Sequence, residues 1–302
     1  MSSAFADRLA AALEKSGTPL CMGIDPHPAL LPAFLSGQEP ARAIRLFGQL
    51  AIEAAASAGL PAVKPQVALF EQHGPAGMAV LAELAELAQQ AGLLVIMDAK
   101  RGDIGSTSAA YAAAWLGPHA PFTADALTVN PFMGMDTLAP FIEEAASTGR
   151  GLFVLVRTSN EGSGDLQDLD AGGKPVWQRL ADQLARLDTG LAASLSGLSG
   201  WSGLGVVVGA TRPQQAEALR SILPNAPFLI PGYGAQGAGP ERARAGLLWQ
   251  ETHWQGGLIN SARGLTGTDA ARQASSPDSF QNAVLAAIRQ ARAELDSPRA
   301  AG

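Results

Sequence analysis

The sequence predicts an α/β fold, a (β/α)8 TIM barrel in which eight parallel strands alternate with eight helices. Two observations support it: short apolar runs alternate with longer segments rich in Ala, Leu and Glu, and polar residues follow most of the apolar runs. A doubly wound open sheet is the alternative. Because eight regular units fill most of the 302 residues, we expect one closed domain over 1–302, with a short polar tail at about 298–302.

The expected strands are runs rich in Val, Ile and Leu that are bounded by Gly, Pro or polar residues. They are residues 19–25, 61–67, 93–100, 126–130, 151–157, 205–209, 227–231 and 257–261. The expected helices lie between them, at 39–59, 75–91, 104–116, 134–148, 175–188, 212–222, 239–248 and 279–297. Two stretches rich in Gly, Ser, Asp and Leu, 160–174 and 189–203, are expected as loops or insertions around the fifth helix.

The composition argues against several classes of function. The net charge of −6 disfavours broad nucleic-acid binding, although a local positive field can still bind an anionic small ligand. The four histidines are scattered and Cys21 is the only cysteine, so we expect no metal site and no internal disulfide. No apolar run approaches the roughly 20 residues of a membrane helix, and charges interrupt the N-terminal pattern. We therefore expect a soluble cytoplasmic protein.

The segment Asp98-Ala-Lys-Arg-Gly-Asp-Ile follows an apolar strand and places acidic and basic groups at its carboxyl end. Side chains alternate along a strand, so Asp98 and Lys100 are expected on one face. Lys64, in the preceding strand, can extend the group into an alternating array of two lysines and two aspartates that stabilises charge developing on a substrate. Lys100 can also deliver a proton. The alternative is a buried ion-pair network that only orients the strands.

A second polar cluster is expected after the last two strands, the usual phosphate site of such a barrel. Residues 231–237 read Pro-Gly-Tyr-Gly-Ala-Gln-Gly, and Arg263 follows the next strand. Glycines let backbone N–H groups approach an anion, and an arginine can bind two phosphate oxygens. A glycine-rich loop alone is also consistent with a plain turn, but together with Arg263 it predicts a phosphate site.

In this order, Lys64, residues 98–104, residues 231–237 and Arg263 resemble the motifs of the orotidine 5′-phosphate decarboxylase family. The chain length and the Thr158-Ser-Asn sequence are similar to the longer, type 2 branch of that family. The resemblance implies a barrel enzyme that converts orotidine 5′-monophosphate to uridine 5′-monophosphate and carbon dioxide in pyrimidine biosynthesis. It also implies a homodimer with shared active sites that uses no metal and no organic cofactor.

The resemblance further implies catalytic and ribose-binding roles for particular residues. Four positions match the family's charged catalytic array, namely Lys64, Asp98, Lys100 and Asp103. In that array, Lys100 matches the residue that protonates C6, and Asp98 matches the carboxylate facing the departing group. Asp25 and Lys64 match ligands of the ribose hydroxyls.

The remaining matches concern the base, the phosphate and the partner subunit. Ser159 matches a hydrogen-bonding partner of the pyrimidine, and Pro231 belongs to the substrate-binding set. The phosphate loop is expected to comprise Gly232, Gly234, Gln236 and Arg263, with Gln236 also reaching toward the base. Asp103, Ile104 and Thr107 match positions that one subunit contributes to its neighbour's site.

Some positions depart from the family's common pattern, and two other functions stay open. Tyr233, Glu161 and Ala262 are the departures, and they affect the loops without removing a reacting group. One other function is that of a metal-dependent sugar-phosphate decarboxylase or aldolase-type barrel of the same superfamily, whose acidic metal ligand would stand where this chain has Lys64. The other is a non-catalytic nucleotide-binding barrel, which would lack a catalytic group.

Overall fold

The computed structural model describes residues 4–122, 124–234 and 236–297, and the predicted tail at 298–302 lies outside these ranges. The strands are β1 (Leu20–Ile24), β2 (Ala62–Pro65), β3 (Leu94–Arg101), β4 (Ala126–Val129), β5 (Gly151–Arg157), β6 (Leu204–Val208), β7 (Phe228–Pro231), β8 (Leu248–Gln250), β9 (His253–Gln255) and β10 (Gly257–Ser261). All except β8 and β9 form one closed barrel in the order β1-β10-β7-β6-β5-β4-β3-β2. Neighbouring strands pair in parallel, so the predicted (β/α)8 fold class is confirmed.

Helices surround the barrel on its outer face. They are α1 (Phe5–Ser16), α2 (Pro40–Ser57), α3 (Ala68–Glu71), α4 (Gly74–Gln90), α5 (Gly105–Leu116), α6 (Ala139–Thr148), α7 (Gly164–Gln167), α8 (Val176–Thr189), α9 (Pro213–Ile222), α10 (Pro240–Ala243), α11 (Arg263–Thr266), α12 (Asp269–Arg272) and α13 (Pro277–Leu295). Short 3₁₀ turns occupy Pro28–Leu30, Ala33–Leu35, Met135–Leu138, Glu161–Ser163 and Leu191–Leu195. Helix α13 begins with a capping box, in which Ser276 and Ser279 satisfy each other's backbone N–H groups.

Besides the four-residue helices α3, α7, α11 and α12, which were not predicted, two elements differ from the sequence-based prediction. The expected helix at 239–248 is wrong beyond Ala243, because the chain then enters the antiparallel hairpin β8–β9. Trp249 and Trp254 face each other across this hairpin with ring centroids 5.1 Å apart, and such cross-strand aromatic pairs stabilise β-structure. Helix α1 was not predicted, because its charged face obscures an apolar face that contains Phe5, Leu9 and Leu13.

Helix α1 closes the bottom of the barrel. Phe5, Leu9 and Leu13 are buried among lumen side chains contributed by the strands. The Phe5 and Phe153 rings meet edge to face, with centroids 5.9 Å apart. The lumen is therefore apolar at the amino ends of the strands, and space for polar groups is left only at their carboxyl ends. No helix of the described chain is long and apolar enough to cross a membrane.

Candidate active site

A cavity of about 420 Å³ opens at the carboxyl ends of the barrel strands, within the size range of small-molecule sites. It brings together most of the residues that the sequence predicted for the site. These are Asp25, Lys64, Asp98, Lys100, Ser159, Pro231, Gly232, Gln236 and Arg263. Strands from opposite sides of the barrel contribute side chains to the cavity wall, so residues more than 200 positions apart in sequence line the same cavity.

Asp98 is the centre of the charged part of the cavity. Its Oδ2 accepts hydrogen bonds from Lys64 Nζ at 2.6 Å and from Gln66 Nε2 at 3.1 Å. Its Oδ1 accepts hydrogen bonds from Lys100 Nζ at 2.5 Å and from Thr128 Oγ1 at 3.1 Å. Four donors thus fix the carboxylate, and two of them are cationic, which makes these the stronger hydrogen bonds of the group.

Electrostatics keep the buried Lys64–Asp98 pair charged. Burial alone would raise the pKa of the Asp98 carboxyl, but Lys64 and Lys100 outweigh it and hold that pKa well below its usual range. Burial alone would lower the pKa of the Lys64 ammonium, but Asp98 and Asp25 outweigh it and raise that pKa. Both members of the buried pair are therefore ionised at neutral pH. The Lys100 side chain is 45% exposed, so its ammonium faces the open part of the cavity.

Lys100 reaches Asp98 through an irregularity in β3. The pairing of β3 with β4 shifts register between Met97 and Arg101, and Lys100 has a φ of 50°. The left-handed conformation is unfavourable for a lysine by roughly 1–2 kcal/mol. The Lys100 N–H donates to Thr128 Oγ1 at 2.8 Å, which stabilises the irregular backbone. Asp98 and Lys100 do point into one space, but simple strand alternation does not describe how they reach it.

Asp25 lies on the neighbouring wall and has an unused acceptor. Its Oδ1 is buried and has no hydrogen-bond partner among the described residues, and the same holds for Oδ1 of Asn260. Burial raises the pKa of the Asp25 carboxyl, while the nearby Lys64 acts in the opposite direction. Unpaired acceptors at a cavity wall are costly unless a ligand donates to them.

Ser159 is held at the cavity by close packing with its neighbours. A Cβ at position 209 would lie 2.8 Å from Ser159 Cβ, so only glycine lets β6 and the Ser159 backbone approach this closely. Thr211 Oγ1 also donates to the Ser159 carbonyl at 3.2 Å. On the other side, Gly232 has a φ of 104°, and a Cβ there would lie 3.2 Å from Gln236 Oε1. The glycines therefore bring Ser159 and Gln236 to the same part of the cavity.

The opposite end of the cavity carries the predicted phosphate-binding residues. Arg263 follows β10, and its exposed guanidinium makes no ion pair within the described ranges. Gly232 and Gln236 line the same cavity, whereas Gly234 faces a second cavity between this loop and α13. An arginine that is free to bind and lies beside flexible glycine backbone can hold a doubly charged anion.

Besides Gly234, three predicted residues do not line the cavity of their own chain. Asp103 accepts the N–H of Ile104 at 2.8 Å, and the side chain of Ile104 is 60% exposed. Thr107 is exposed on the first turn of α5. Asp103 therefore lies apart from the Lys64–Asp98–Lys100 cluster, which contains three of the four residues expected in the array.

The sequence-based prediction missed several cavity residues. Gln66 and Asn260 are the main polar ones. Each lies two positions after a residue that faces the lumen, and side chains two positions apart on a strand share a face. Gln66 lies two positions after Lys64, and Asn260 lies two positions after the lumen residue Leu258. Strict alternation along each strand could have identified both. Leu155, Val207 and Leu229 add an apolar wall that composition alone did not single out.

Known proteins are similar to this chain over most of its length. A sequence model described as the orotidine 5′-phosphate decarboxylase / HUMPS family matches residues 18–276. The chain belongs to this family. An orotidine 5′-phosphate decarboxylase of Rhodopirellula baltica is 41% identical over 96% of this chain and 98% of its own length. One from Salinispora tropica is 43% identical over 73% of this chain and 76% of its own length.

A solved structure agrees with this membership of the orotidine 5′-phosphate decarboxylase / HUMPS family. The crystal structure of a proposed orotidine 5′-phosphate decarboxylase from Streptomyces avermitilis superposes with a TM-score of 0.80. It is 35% identical in sequence, and the alignment covers 98% of this chain and 97% of that one. The resemblance inferred from the sequence motifs is therefore confirmed at the level of the family and its fold.

Proposed function

We propose that this protein converts orotidine 5′-monophosphate to uridine 5′-monophosphate and carbon dioxide, a step of pyrimidine biosynthesis. The observation that carries the proposal is the Lys64–Asp98–Lys100 cluster, which fixes a charged array at one end of a cavity. Gln236 and Arg263 line the same cavity, where a phosphate can bind. Both curated relatives described above bear the name of this enzyme, which supports the same reaction.

The reaction requires a cation close to C6. When the bond between C6 and the carboxylate breaks, carbon dioxide leaves and the electron pair stays on C6. This pair lies in the ring plane, orthogonal to the π system, so ring resonance stabilises it little. The Lys100 ammonium is positioned by Asp98 to stabilise the developing charge and then to donate its proton to C6. Solvent reprotonates the resulting amine through the open side of the cavity.

Other cavity residues bind parts of the nucleotide remote from C6. Asp25 and Lys64 are assigned to the ribose hydroxyls, because the unpartnered Asp25 oxygen can accept from a hydroxyl. Ser159 and Gln236 are assigned to the pyrimidine, with Pro231 beside it. Gly232, Gln236 and Arg263 are assigned to the phosphate, together with Gly234, which belongs to the same loop although it lines the second cavity. Binding energy at the phosphate can lower the barrier at C6, because it holds the base against the charged array.

We further propose that the active protein is a homodimer whose subunits share their sites. Asp103, Ile104 and Thr107 are accessible to a second copy, and Ile104 is 60% exposed although it is apolar. Phe132, which follows β4, is 76% exposed and offers more apolar area for such a contact. The partner's Asp103 would then complete the alternating array of two lysines and two aspartates. A cytoplasmic location, a single domain and the lack of nucleic-acid binding stay predictions.

A metal-dependent sugar-phosphate reaction fits the geometry less well. Both Asp98 oxygens already accept hydrogen bonds from ammonium groups, and Lys64 is charged where the alternative needs an acidic ligand. A cation bound there would be repelled by both lysines. We expect treatment with EDTA to leave turnover unchanged. If EDTA abolished turnover and added magnesium restored it, the result would favour this alternative.

The direct test is the loss of orotidine 5′-monophosphate absorbance in the presence of the purified protein. Lys100→Ala should lower kcat by at least about 10³-fold, because the proton donor and the main cation are both removed. Lys15→Ala, which alters an exposed lysine on α1, is the matched control and should leave kcat unchanged. A wild-type protein that binds uridine 5′-monophosphate without turnover would instead identify a non-catalytic nucleotide-binding barrel.

A further inference from the structure

Segment 160–174 is joined to the end of β5 through the buried residue Arg157. The Arg157 side chain has no exposed surface, and all of its guanidinium partners come from this segment. Nη1 donates to Ser163 Oγ at 2.8 Å and to Gln167 Oε1 at 2.9 Å. Nη2 donates to Asp168 Oδ2 at 2.7 Å. We call these four residues, Arg157, Ser163, Gln167 and Asp168, the Arg157 clamp.

The clamp fixes this segment firmly. A buried guanidinium is costly unless it is paired and hydrogen-bonded, so loss of any of its partners leaves Arg157 undercompensated. Asp168 supplies the opposite charge, although its own side chain is 44% exposed. Because Arg157 belongs to a barrel strand, the position of Gln167 is set by the rigid part of the fold.

Gln167 connects the clamp to the loop that enters the cavity. Its Oε1 accepts the Thr158 N–H at 3.0 Å, and its Nε2 donates to Thr158 Oγ1 at 2.8 Å. Thr158 Oγ1 in turn donates to Asn160 Oδ1 at 2.7 Å. One side chain thus holds Arg157 together with the backbone N–H and the hydroxyl of Thr158. Thr158, Ser159 and Asn160 all line the cavity.

We infer that Gln167 is a positioning residue for recognition of the pyrimidine, acting through Thr158 on Ser159. The inference rests on the proposed function, which assigns Ser159 to the base. It gives segment 160–174 a role in the reaction, although Gln167 lies outside the cavity itself. A hydroxyl that hydrogen-bonds a base must be held within about 0.5 Å of the position required for that bond, and the Arg157 clamp supplies this constraint.

Ligands with and without a base distinguish this role from a general structural one. Inhibition constants of uridine 5′-monophosphate and of ribose 5-phosphate are measured against turnover of orotidine 5′-monophosphate. Gln167→Ala should raise the inhibition constant of uridine 5′-monophosphate by about tenfold or more. It should raise that of ribose 5-phosphate by less than about twofold. Equal weakening of both ligands, or no change in either, would overturn the inference.

Three further variants separate the outcomes. Gln167→Glu keeps the oxygen that accepts from Arg157 and from the Thr158 N–H, but it cannot donate to Thr158 Oγ1. It should therefore restore part of the affinity lost in Gln167→Ala. Gln178→Ala on α8 is the matched control for removing a glutamine near the segment. If Gln167→Ala does not fold by circular dichroism, Asp168→Asn should show the same selective loss with a smaller magnitude, and a non-selective loss there counts against the inference. A wild-type protein with no turnover would refute the proposed function instead.

Discussion

Replacing Asp98 with asparagine should leave the Lys64 ammonium buried without its counterion. The Lys64 side chain is 4% exposed, and its Nζ lies 2.6 Å from Asp98 Oδ2. In the variant, Lys64 either remains charged at a high cost or becomes a neutral amine. Neutralising a lysine whose unfolded-state pKa is about 10.4 costs about 4.6 kcal/mol at about pH 7. This cost sets the upper limit for the loss of stability that arises from Lys64. Since Asp25 still offers partial compensation, we expect the free energy of unfolding to fall by about 3–4 kcal/mol.

The pH dependence of this loss provides a sharper test than its size. In the variant, burial without Asp98 should bring the folded-state pKa of Lys64 below its unfolded value, so the unfolded state binds more protons and stability rises with pH. In the wild type, the pKa of Lys64 is raised above its usual value. Its contribution is therefore complete below the unfolded-state pKa and is lost as pH rises through the folded-state pKa. The difference between the two proteins should shrink by up to about 1.4 kcal/mol per pH unit between about pH 7 and pH 10.

Urea unfolding followed by tryptophan fluorescence at several pH values measures this difference. The control is the double variant Lys64→Met with Asp98→Asn, compared with Lys64→Met alone. Without the lysine, loss of the carboxylate should be less costly, and the cost should no longer depend on pH over the same range. A cost of Asp98→Asn below about 1 kcal/mol, or one that is constant with pH, would refute the conclusion that Lys64 depends on Asp98 for its charge.

Two further predictions concern the partner subunit and the phosphate. Mixing inactive Lys100→Ala and Asp103→Ala proteins should restore part of the turnover, because one site of the mixed dimer would then have both groups intact; no recovery despite demonstrated subunit exchange would contradict shared sites. Arg263→Ala should raise KM for orotidine 5′-monophosphate by about tenfold or more, since a charge-assisted contact with the phosphate is lost. An unchanged KM in steady-state assays would exclude Arg263 from the phosphate site.

Much of the fold followed from the apolar runs, because strands buried on both faces leave a strong sequence signal. All eight predicted barrel strands are present within a residue or two of their expected bounds. The hairpin β8–β9 was missed because each of its strands has only three residues. With one tryptophan in each strand, Trp249 and Trp254, neither strand is long enough to show the two-residue alternation that predicts a strand. Helix α1 was missed because its polar face is highly charged.

Site residues could be predicted only where charged or polar side chains directly follow an apolar strand. Asp98 and Lys100 were identified because a charged pair after an apolar run is unusual. The left-handed backbone at Lys100 was not predicted, since lysine rarely adopts it and the contact with Thr128 that stabilises it forms only in the folded chain. Gln167 gave no sequence signal, because its role depends on Arg157 and Thr158 lying within hydrogen-bonding distance after folding.

The helix beneath the barrel also has a consequence for the order of folding. Residues 5–16 are synthesised before the barrel strands, yet their apolar face packs on lumen residues that extend along the chain as far as Leu258. The first strand likewise has to pair with the last one, with Leu20 opposite Ile259. Contacts of such sequence separation form slowly, because a long loop must close before they contribute any stabilisation. We expect the amino-terminal helix to dock late in folding, leaving apolar surface exposed to aggregation until the last strand is in place.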